Sequence, residues 1–219
     1  MPNPAQQPDL FANTPAWTPP AGLLHLSGLF ECPEQAELAV AVAEIARRAP
    51  FRHPRMRGKG VFSAAITNCG DVGWWSDEKG YRYLPGQPDG SGPWPAIPDA
   101  FRRAVGRAVA GTRWEGFAPD ACLINFYGPD AKMGLHQDKD EADFTQPIVT
   151  VCLGDAADWM IGGPARADKA TAFRVNSGDA LVMGPPARML FHGVRRVHAG
   201  TSPIADLAGR YSLTFRKAL

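Results

Sequence analysis

Leu135-His136-Gln137-Asp138-Lys139-Asp140-Glu141 is the stretch on which the reading of this chain turns. His136 and Asp138 stand two apart, so on an extended backbone both side chains point to the same face. An imidazole and a carboxylate side by side on a rigid strand can fill two adjacent corners of a metal's coordination sphere. The third ligand must come from elsewhere, and the candidate is His192, in Leu190-Phe191-His192-Gly193.

Outward from that stretch the chain reads as short strands broken by turn signals. Strands are expected near Cys122–Tyr127, Met133–Gln137, Ile148–Leu153, Trp159–Ile161, Ala172–Val175, Ala180–Met183 and Arg210–Arg216, separated by Gly-Pro, Gly-Gly-Pro and Asn-Ser-Gly-Asp clusters. Upstream, Glu34 to Arg48 predicts a helix. Leu38, Val42 and Ile45 keep helical spacing, acids lie early, Arg47-Arg48 lie late, and Pro50 ends the run. A second helix is expected from about Pro98 to Ala110, with Phe101, Val105 and Val109 on one face. Short strands are expected over Leu23–Phe30 and Val61–Thr67. Helices first and then many short strands make an α+β chain with an antiparallel sandwich or barrel.

Two segments stand apart. Residues 1–20 are rich in Pro, Gln and Ala and read as a flexible arm. Residues 50–95 carry a basic loop (Phe51 to Lys59) and then Gly, Pro and aromatics: Trp74, Trp75, Tyr81, Tyr83 and Trp94. Long segments of that kind in a compact domain are often lids. Residues 21–219 are expected to be a single domain.

With 219 residues, 45% hydrophobic and 21% charged, the chain has the size and balance of one globular domain. No apolar run is long enough to span a bilayer, and the first residues lack a signal peptide's basic flank and apolar stretch. A cytoplasmic monomer without membrane association is expected. Cys32, Cys69, Cys122 and Cys152 never fall in a C-x-x-C arrangement, which argues against a zinc ribbon or a disulfide framework. A net charge of +1 neither requires nor excludes a nucleic-acid substrate.

The last strand carries the second chemical signal. Alternation over Arg210-Tyr211-Ser212-Leu213-Thr214-Phe215-Arg216 puts Arg210, Ser212, Thr214 and Arg216 on one face and the apolar residues on the other. In a barrel lumen two guanidiniums with hydroxyls between them can grip a small dianion, because each planar fork takes a carboxylate in two parallel hydrogen bonds. Asn125 and Tyr127 share a face of their own strand and offer neutral hydrogen bonds. Two His and one carboxylate with open positions form the facial triad of non-haem Fe(II) oxygenases. A two-carboxylate ligand that also chelates iron suggests 2-oxoglutarate.

At these residues the chain resembles the AlkB family, Fe(II)- and 2-oxoglutarate-dependent dioxygenases that repair alkylated DNA. The matching residues are Thr67-Asn68-Cys69-Gly70 with Gly73-Trp74, Gly80-Tyr81, Pro93-Trp94-Pro95-Ala96, Pro119 to Asn125, Leu135 to Glu141, Phe191-His192-Gly193, and Arg210-Tyr211 with Leu213 to Arg216. The resemblance implies a double-stranded β-helix (jelly roll) core with N-terminal helices and a nucleotide-recognition lid over residues 50–95. It implies that His136, Asp138 and His192 ligate Fe(II), with O2 as oxidant. Arg210 and Tyr127 would hold the distal carboxylate of 2-oxoglutarate, and Arg216 and Asn125 the carboxylate nearer the metal. Trp74 and His136 would sandwich the damaged base, Tyr81 and Arg166 would contact the nucleotide backbone, and Asp140 would meet the exocyclic amine. The implied reaction is oxidative demethylation of 1-methyladenine and 3-methylcytosine, single-stranded DNA preferred, with release of formaldehyde and succinate. These lesions are cationic, so a carboxylate nearby favours them over neutral bases.

Two positions depart from the family's pattern. Ser212 stands where Asn is usual, between the two arginines, and Ile66 where a Met often lines the lid. Glu141 reads as part of a charged turn, His198 as exposed, and His25 and His53 as histidines with no paired carboxylate and no metal role. Three alternatives remain: a related dioxygenase acting on RNA, tRNA or modified protein, a nucleic-acid-binding module without chemistry, and a zinc hydrolase built on the same three ligands. The last would leave the two strand arginines without a task.

Overall fold

Arg210–Arg216 forms the strand around which the rest is laid, and the computed structural model describes it together with residues 18–56 and 60–219. The expected arm lies outside the described residues except for Thr18, Pro19 and Pro20.

Numbered along the chain, the strands are β1 (Leu23–Leu26), β2 (Ala65–Gly70), β3 (Gly73–Asp77), β4 (Gly80–Leu84), β5 (Ala121–Tyr127), β6 (Met133–His136), β7 (Ile148–Gly154), β8 (Ala156–Ile161), β9 (Thr171–Val175), β10 (Ala180–Met183), β11 (His192–His198) and β12 (Arg210–Arg216). Six of them form one sheet in the order β1-β10-β7-β12-β5-β2, four a second in the order β6-β11-β8-β9, and β3 and β4 a separate hairpin. Every pairing in the two large sheets is antiparallel. Two such sheets, face to face, are consistent with a jelly roll.

The alternation expected of β12 is observed and explains the layering. Leu213 and Phe215 are fully buried on the outer face of the large sheet. There they meet helices α1 (Cys32–Arg48) and α2 (Asp99–Val109) in one apolar cluster with Leu38, Val42, Ile45, Phe101, Val105 and Val109. Each such side chain contributes about 1.5–3 kcal/mol when fully buried. A second cluster draws on both sheets, through Tyr127, Ile148 and Leu181 from one and Trp159, Val175 and Val194 from the other. The other face of β12 is thereby turned into the space between the sheets. A capping box at Glu31 and Glu34, with Pro33 in the first turn, fixes the start of α1 two residues earlier than its apolar periodicity indicates.

Other boundaries moved for identifiable reasons. The strand expected at Val61–Thr67 runs over Ala65–Gly70, because its pairing with β5 extends from Ala65↔Phe126 to Gly70↔Ala121, while Val61 stays exposed. The first strand stops at Leu26, before Gly28 adopts a positive φ of 61°. β11 was not expected as a strand. Its adjacent charges Arg195-Arg196 break the alternation at an irregularity in the pairing between Val194 and Arg196. The aromatic segment after β2 contains the β3–β4 hairpin. Asn68 pins it, donating to the Trp74 carbonyl and accepting from the Trp74 amide, both at 3.0 Å. Gly73 is required there: a Cβ would lie 2.4 Å from the Trp94 ring.

Candidate active site

β6 ends on His136, and the chain continues without a bond in the ladder through Asp138; β11 begins on His192, directly opposite His136 in the register. That pairing brings residues 56 apart in sequence into one cluster. The ring centroids of His136 and His192 are 4.4 Å apart. Nε2 of His136 lies 3.7 Å from Asp138 Oδ1, and Nε2 of His192 lies 3.7 Å from Asp138 Oδ2. The ligand atoms of the three residues all fall within 4.8 Å of one another, and among the described residues no other such His, Cys, Asp or Glu group occurs.

The tautomers suit a metal. Nδ1 of His136 meets the Gly134 carbonyl at 2.9 Å and Nδ1 of His192 the Leu190 carbonyl at 3.2 Å, so each proton is held on the far nitrogen and Nε2 is left as the ligand. Burial, reinforced by the His136 charge, pushes the His192 imidazole down to about 4, which keeps it neutral near neutral pH. Burial alone would raise the Asp138 carboxyl, but Arg216, then His192 and His136, hold it below the usual carboxylate range. One carboxylate oxygen and two imidazole Nε2 atoms, with positions left open around the ion, are the donor set expected of non-haem Fe(II).

The triad opens into a cavity of about 360 Å³ between the sheets, and nearly all the expected site residues line it. Asn125, Tyr127, Ser212, Thr214 and Arg216 line it from β5 and β12, beside the triad; the exposed Tyr81, Asp140 and Arg166, with half-buried Trp74, mark its mouth. Ile66 lines it as well. Arg210 is brought close but not onto the wall. It is completely buried, opposite Tyr127 in the register, with Nη1 on the carbonyls of Asp155 and Val175 and Nη2 on the Cys152 sulfur. The Nε atoms of Arg210 and Arg216 are both buried without a hydrogen-bond partner. A buried guanidinium N–H is costly to leave unpaired. Two of them, flanking Ser212 on one strand, fit a ligand with two carboxylates.

At the mouth the Trp74 indole donates to Asp140 Oδ2 at 2.7 Å and stacks on Tyr81, with centroids 5.6 Å apart and planes 20° from parallel. Phe62 meets Trp74 edge-on. The Arg166 guanidinium lies over the Phe191 ring.

Three expectations are corrected. Glu141 is not part of a solvated turn: it is 5% exposed, accepts from the Tyr83 hydroxyl at 2.5 Å and pairs with Arg188 at 2.8 Å. His198 is half-buried against Asp158 at 2.9 Å. His25 does have a paired carboxylate, Asp179 at 2.9 Å, though it belongs to no metal group. All four cysteines are free, as their spacing indicates, although β2 and β5 set Cys69 opposite Cys122. Tyr83, Arg188 and Trp159, the last stacked on His192 at 5.5 Å, carried no sequence signal beyond their residue type.

The model of one protein family, the 2OG-Fe(II) oxygenase superfamily, matches residues 22–216. Alpha-ketoglutarate-dependent dioxygenase AlkB of Escherichia coli (strain K12) is 41% identical over 213 residues, spanning 96% of this chain and 97% of that protein. An AlkB homolog of Caulobacter vibrioides is 41% identical over 191 residues, 87% of this chain and 85% of its own. The solved structure of OsALKBH1 superposes with a TM-score of 0.78 at 28% identity, covering 92% of this chain and 99% of that one.

Proposed function

Because the chain belongs to the 2OG-Fe(II) oxygenase superfamily, we propose that it is a DNA repair dioxygenase that removes alkyl groups from base nitrogens, 1-methyladenine and 3-methylcytosine foremost. The observation that carries this reading is one cavity. Its floor holds the His136–Asp138–His192 triad and Arg216, and its mouth holds an indole face and a free carboxylate oxygen of Asp140. Fe(II), 2-oxoglutarate and O2 together would supply the oxidation of the N-methyl carbon: one oxygen atom goes to the methyl carbon, which leaves as formaldehyde, and the other to 2-oxoglutarate, which loses CO2 and becomes succinate.

The protein's own residues bind, orient and exclude water. His136, Asp138 and His192 hold the metal. Arg216 and Asn125 take the carboxylate nearer the metal, and Arg210 and Tyr127 the distal one, Tyr127 from the cavity wall and Arg210 through its unpartnered Nε. Ser212 offers a hydroxyl between the arginines in place of a longer amide. Trp74 supplies one face for the base, and the His136 ring the other. Asp140, oriented by the indole through one oxygen, presents the other to the exocyclic amine and to the positive charge of the lesion. Tyr81 and Arg166 flank the path of the phosphodiester backbone.

Residues 50–95, hairpin included, act as the recognition lid of a single domain covering 21–219. A base can reach the triad only by leaving its stack, so single-stranded substrate costs least. The reading is tested by supplying Fe(II), 2-oxoglutarate and matched methylated DNA and RNA oligonucleotides in air. Succinate and formaldehyde formed in step with demethylated DNA are expected. Turnover on the RNA oligonucleotide alone would transfer the function to RNA, and succinate formed without formaldehyde on either would exclude both substrates.

A further inference from the structure

A closed ring of buried polar groups lies beside the triad, and the reaction as described uses only part of it. Arg216 Nη2 pairs with Asp138 Oδ2 at 2.8 Å. Its Nη1 donates to the Tyr83 hydroxyl at 3.2 Å and lies 3.5 Å from Glu141 Oε1. The Tyr83 hydroxyl donates onward to Glu141 Oε1 at 2.5 Å. Glu141 Oε2 takes Arg188 Nη2 at 2.8 Å, and Arg188 Nη1 closes the ring on the backbone carbonyl of Asp138 at 2.6 Å. The Glu141, Arg188, Arg216 and Asp138 side chains are 1%, 3%, 6% and 8% exposed, two anions against two cations.

The ring's members come from four separate places: β4 of the hairpin, the segment after β6, the 3-10 turn Ala187–Met189, and β12. Among them only Asp138 is proposed as a ligand of the metal and only Arg216 as a clamp for 2-oxoglutarate. A buried charge network of this extent is costly to desolvate, and packing alone does not require it. Its geometry has a use, however. Arg216 has its two terminal nitrogens committed to Asp138 and Tyr83, so its plane is fixed and its unpartnered Nε has one orientation. The loop carrying Asp138 is likewise held from its backbone side by Arg188.

We propose that Tyr83, Glu141 and Arg188 are positioning residues that set the Arg216 guanidinium and the Asp138 loop for 2-oxoglutarate, and that Tyr83 thereby couples co-substrate binding to docking of the β3–β4 hairpin. The proposal rests on the dioxygenase reading above and assigns it three further residues. Tyr83 is the only link of the ring that belongs to the hairpin, so a co-substrate bound by Arg216 in that orientation also steadies the hairpin. By reciprocity, a docked hairpin tightens co-substrate binding by the same factor. The base-binding face of Trp74 sits on the strand paired with β4, opposite Tyr83 in the register.

The test compares the full-length wild type with Tyr83→Phe and Glu141→Gln, each loaded anaerobically with Fe(II) and with iron content measured. 2-Oxoglutarate is titrated by the visible charge-transfer absorption of its iron chelate, and amide hydrogen exchange over Gly73–Leu84 is followed with and without it. Tyr83→Phe removes one hydroxyl and keeps the ring, so it reports even if Glu141→Gln fails to fold. In the wild type, 2-oxoglutarate should slow exchange across the hairpin. Tyr83→Phe should lose that protection and bind 2-oxoglutarate more weakly, on the order of ten- to a hundred-fold, as outer-shell changes do. A merely structural ring would speed exchange in the variant equally with and without 2-oxoglutarate and leave its affinity unchanged. That outcome overturns the proposal. A wild type that forms no chelate contradicts the dioxygenase reading instead.

Discussion

At the scale of single residues, Trp74 donates its N–H to Asp140 and lines the cavity, and the proposed function gives it a second, separable task, a π-face for the base. Trp74→Ala removes both, and a base–aromatic stack is worth about 1–3 kcal/mol. Affinity for a methylated oligonucleotide, read by fluorescence anisotropy with 2-oxoglutarate bound, should fall by that amount. Trp74→Phe keeps a stacking surface but frees the Asp140 carboxylate to rotate. It should retain most of the affinity and lose preference for cationic over neutral methylated bases in a competition assay, as Asp140→Asn should. Equal preference in all three proteins would mean that charge recognition lies elsewhere in the cavity.

The residues that could be read from sequence are those whose chemistry is unusual for their setting. A His and an Asp two apart on a strand, or two Arg six apart with alternation between them, announce themselves. Glu141 did not, because a Glu after Asp140 near Lys139 is what a solvated turn looks like. Its partners, Tyr83 and Arg188, lie 58 and 47 residues away, and no local pattern joins them. Arg210 was legible as a cation on the correct face, yet its complete burial depends on acceptors supplied by Cys152 of β7, Val175 of β9 and Asp155 between β7 and β8.

At the scale of elements, Asp179 in the turn before β10 shows how a single carboxylate fixes the edge of the large sheet. It accepts from the amides of Gly28 and Asn176, both at 2.8 Å, and pairs with His25 on β1. Burial would raise its carboxyl, but these partners, His25 first, hold it below the usual range. A group depressed in the folded state stabilises above its unfolded pKa and loses that contribution as pH falls through the folded one. Asp179→Asn should therefore cost about 2 kcal/mol near neutral pH, since hydrogen bonds to charged groups are the stronger kind. In urea unfolding, the gap from the wild type should close on acidification below about pH 4. A gap that stays constant would assign the loss to packing rather than charge.

The hairpin gives a second element-scale prediction. Gly73→Ala drives a Cβ into the Trp94 ring, and overpacking of this kind costs about 1–3 kcal/mol. Proteolysis within β3–β4 should accelerate while the triad still takes up iron; unchanged cleavage would show that Trp94 yields at little cost. The hairpin itself was hidden in the sequence because its strands are short, aromatic on both faces and only partly buried. The core strands, buried on at least one face, kept the alternation that gives them away.

At the scale of the molecule, two antiparallel sheets and two covering helices form a rigid container whose inner faces carry the chemistry. Helices on the outer face of the large sheet bury Leu213 and Phe215, and that burial is what turns Ser212, Thr214 and Arg216 inward. Ligands that bind only the folded container should stabilise it by mass action. Divalent metal with 2-oxoglutarate should raise the unfolding temperature more than either alone, and His136→Ala should abolish the metal's share. Equal shifts in the variant would place the metal elsewhere.

The central claim is that this cavity demethylates DNA, and repair itself is the most direct measurement. The protein would be reconstituted anaerobically with Fe(II) and 2-oxoglutarate, mixed with a single-stranded oligonucleotide carrying 1-methyladenine or 3-methylcytosine, and exposed to air, with the oligonucleotide weighed by mass spectrometry. Loss of the methyl mass that requires both additions and disappears in Asp138→Ala is the predicted result. An unchanged oligonucleotide, with iron loading verified and neither succinate nor formaldehyde formed, would contradict it.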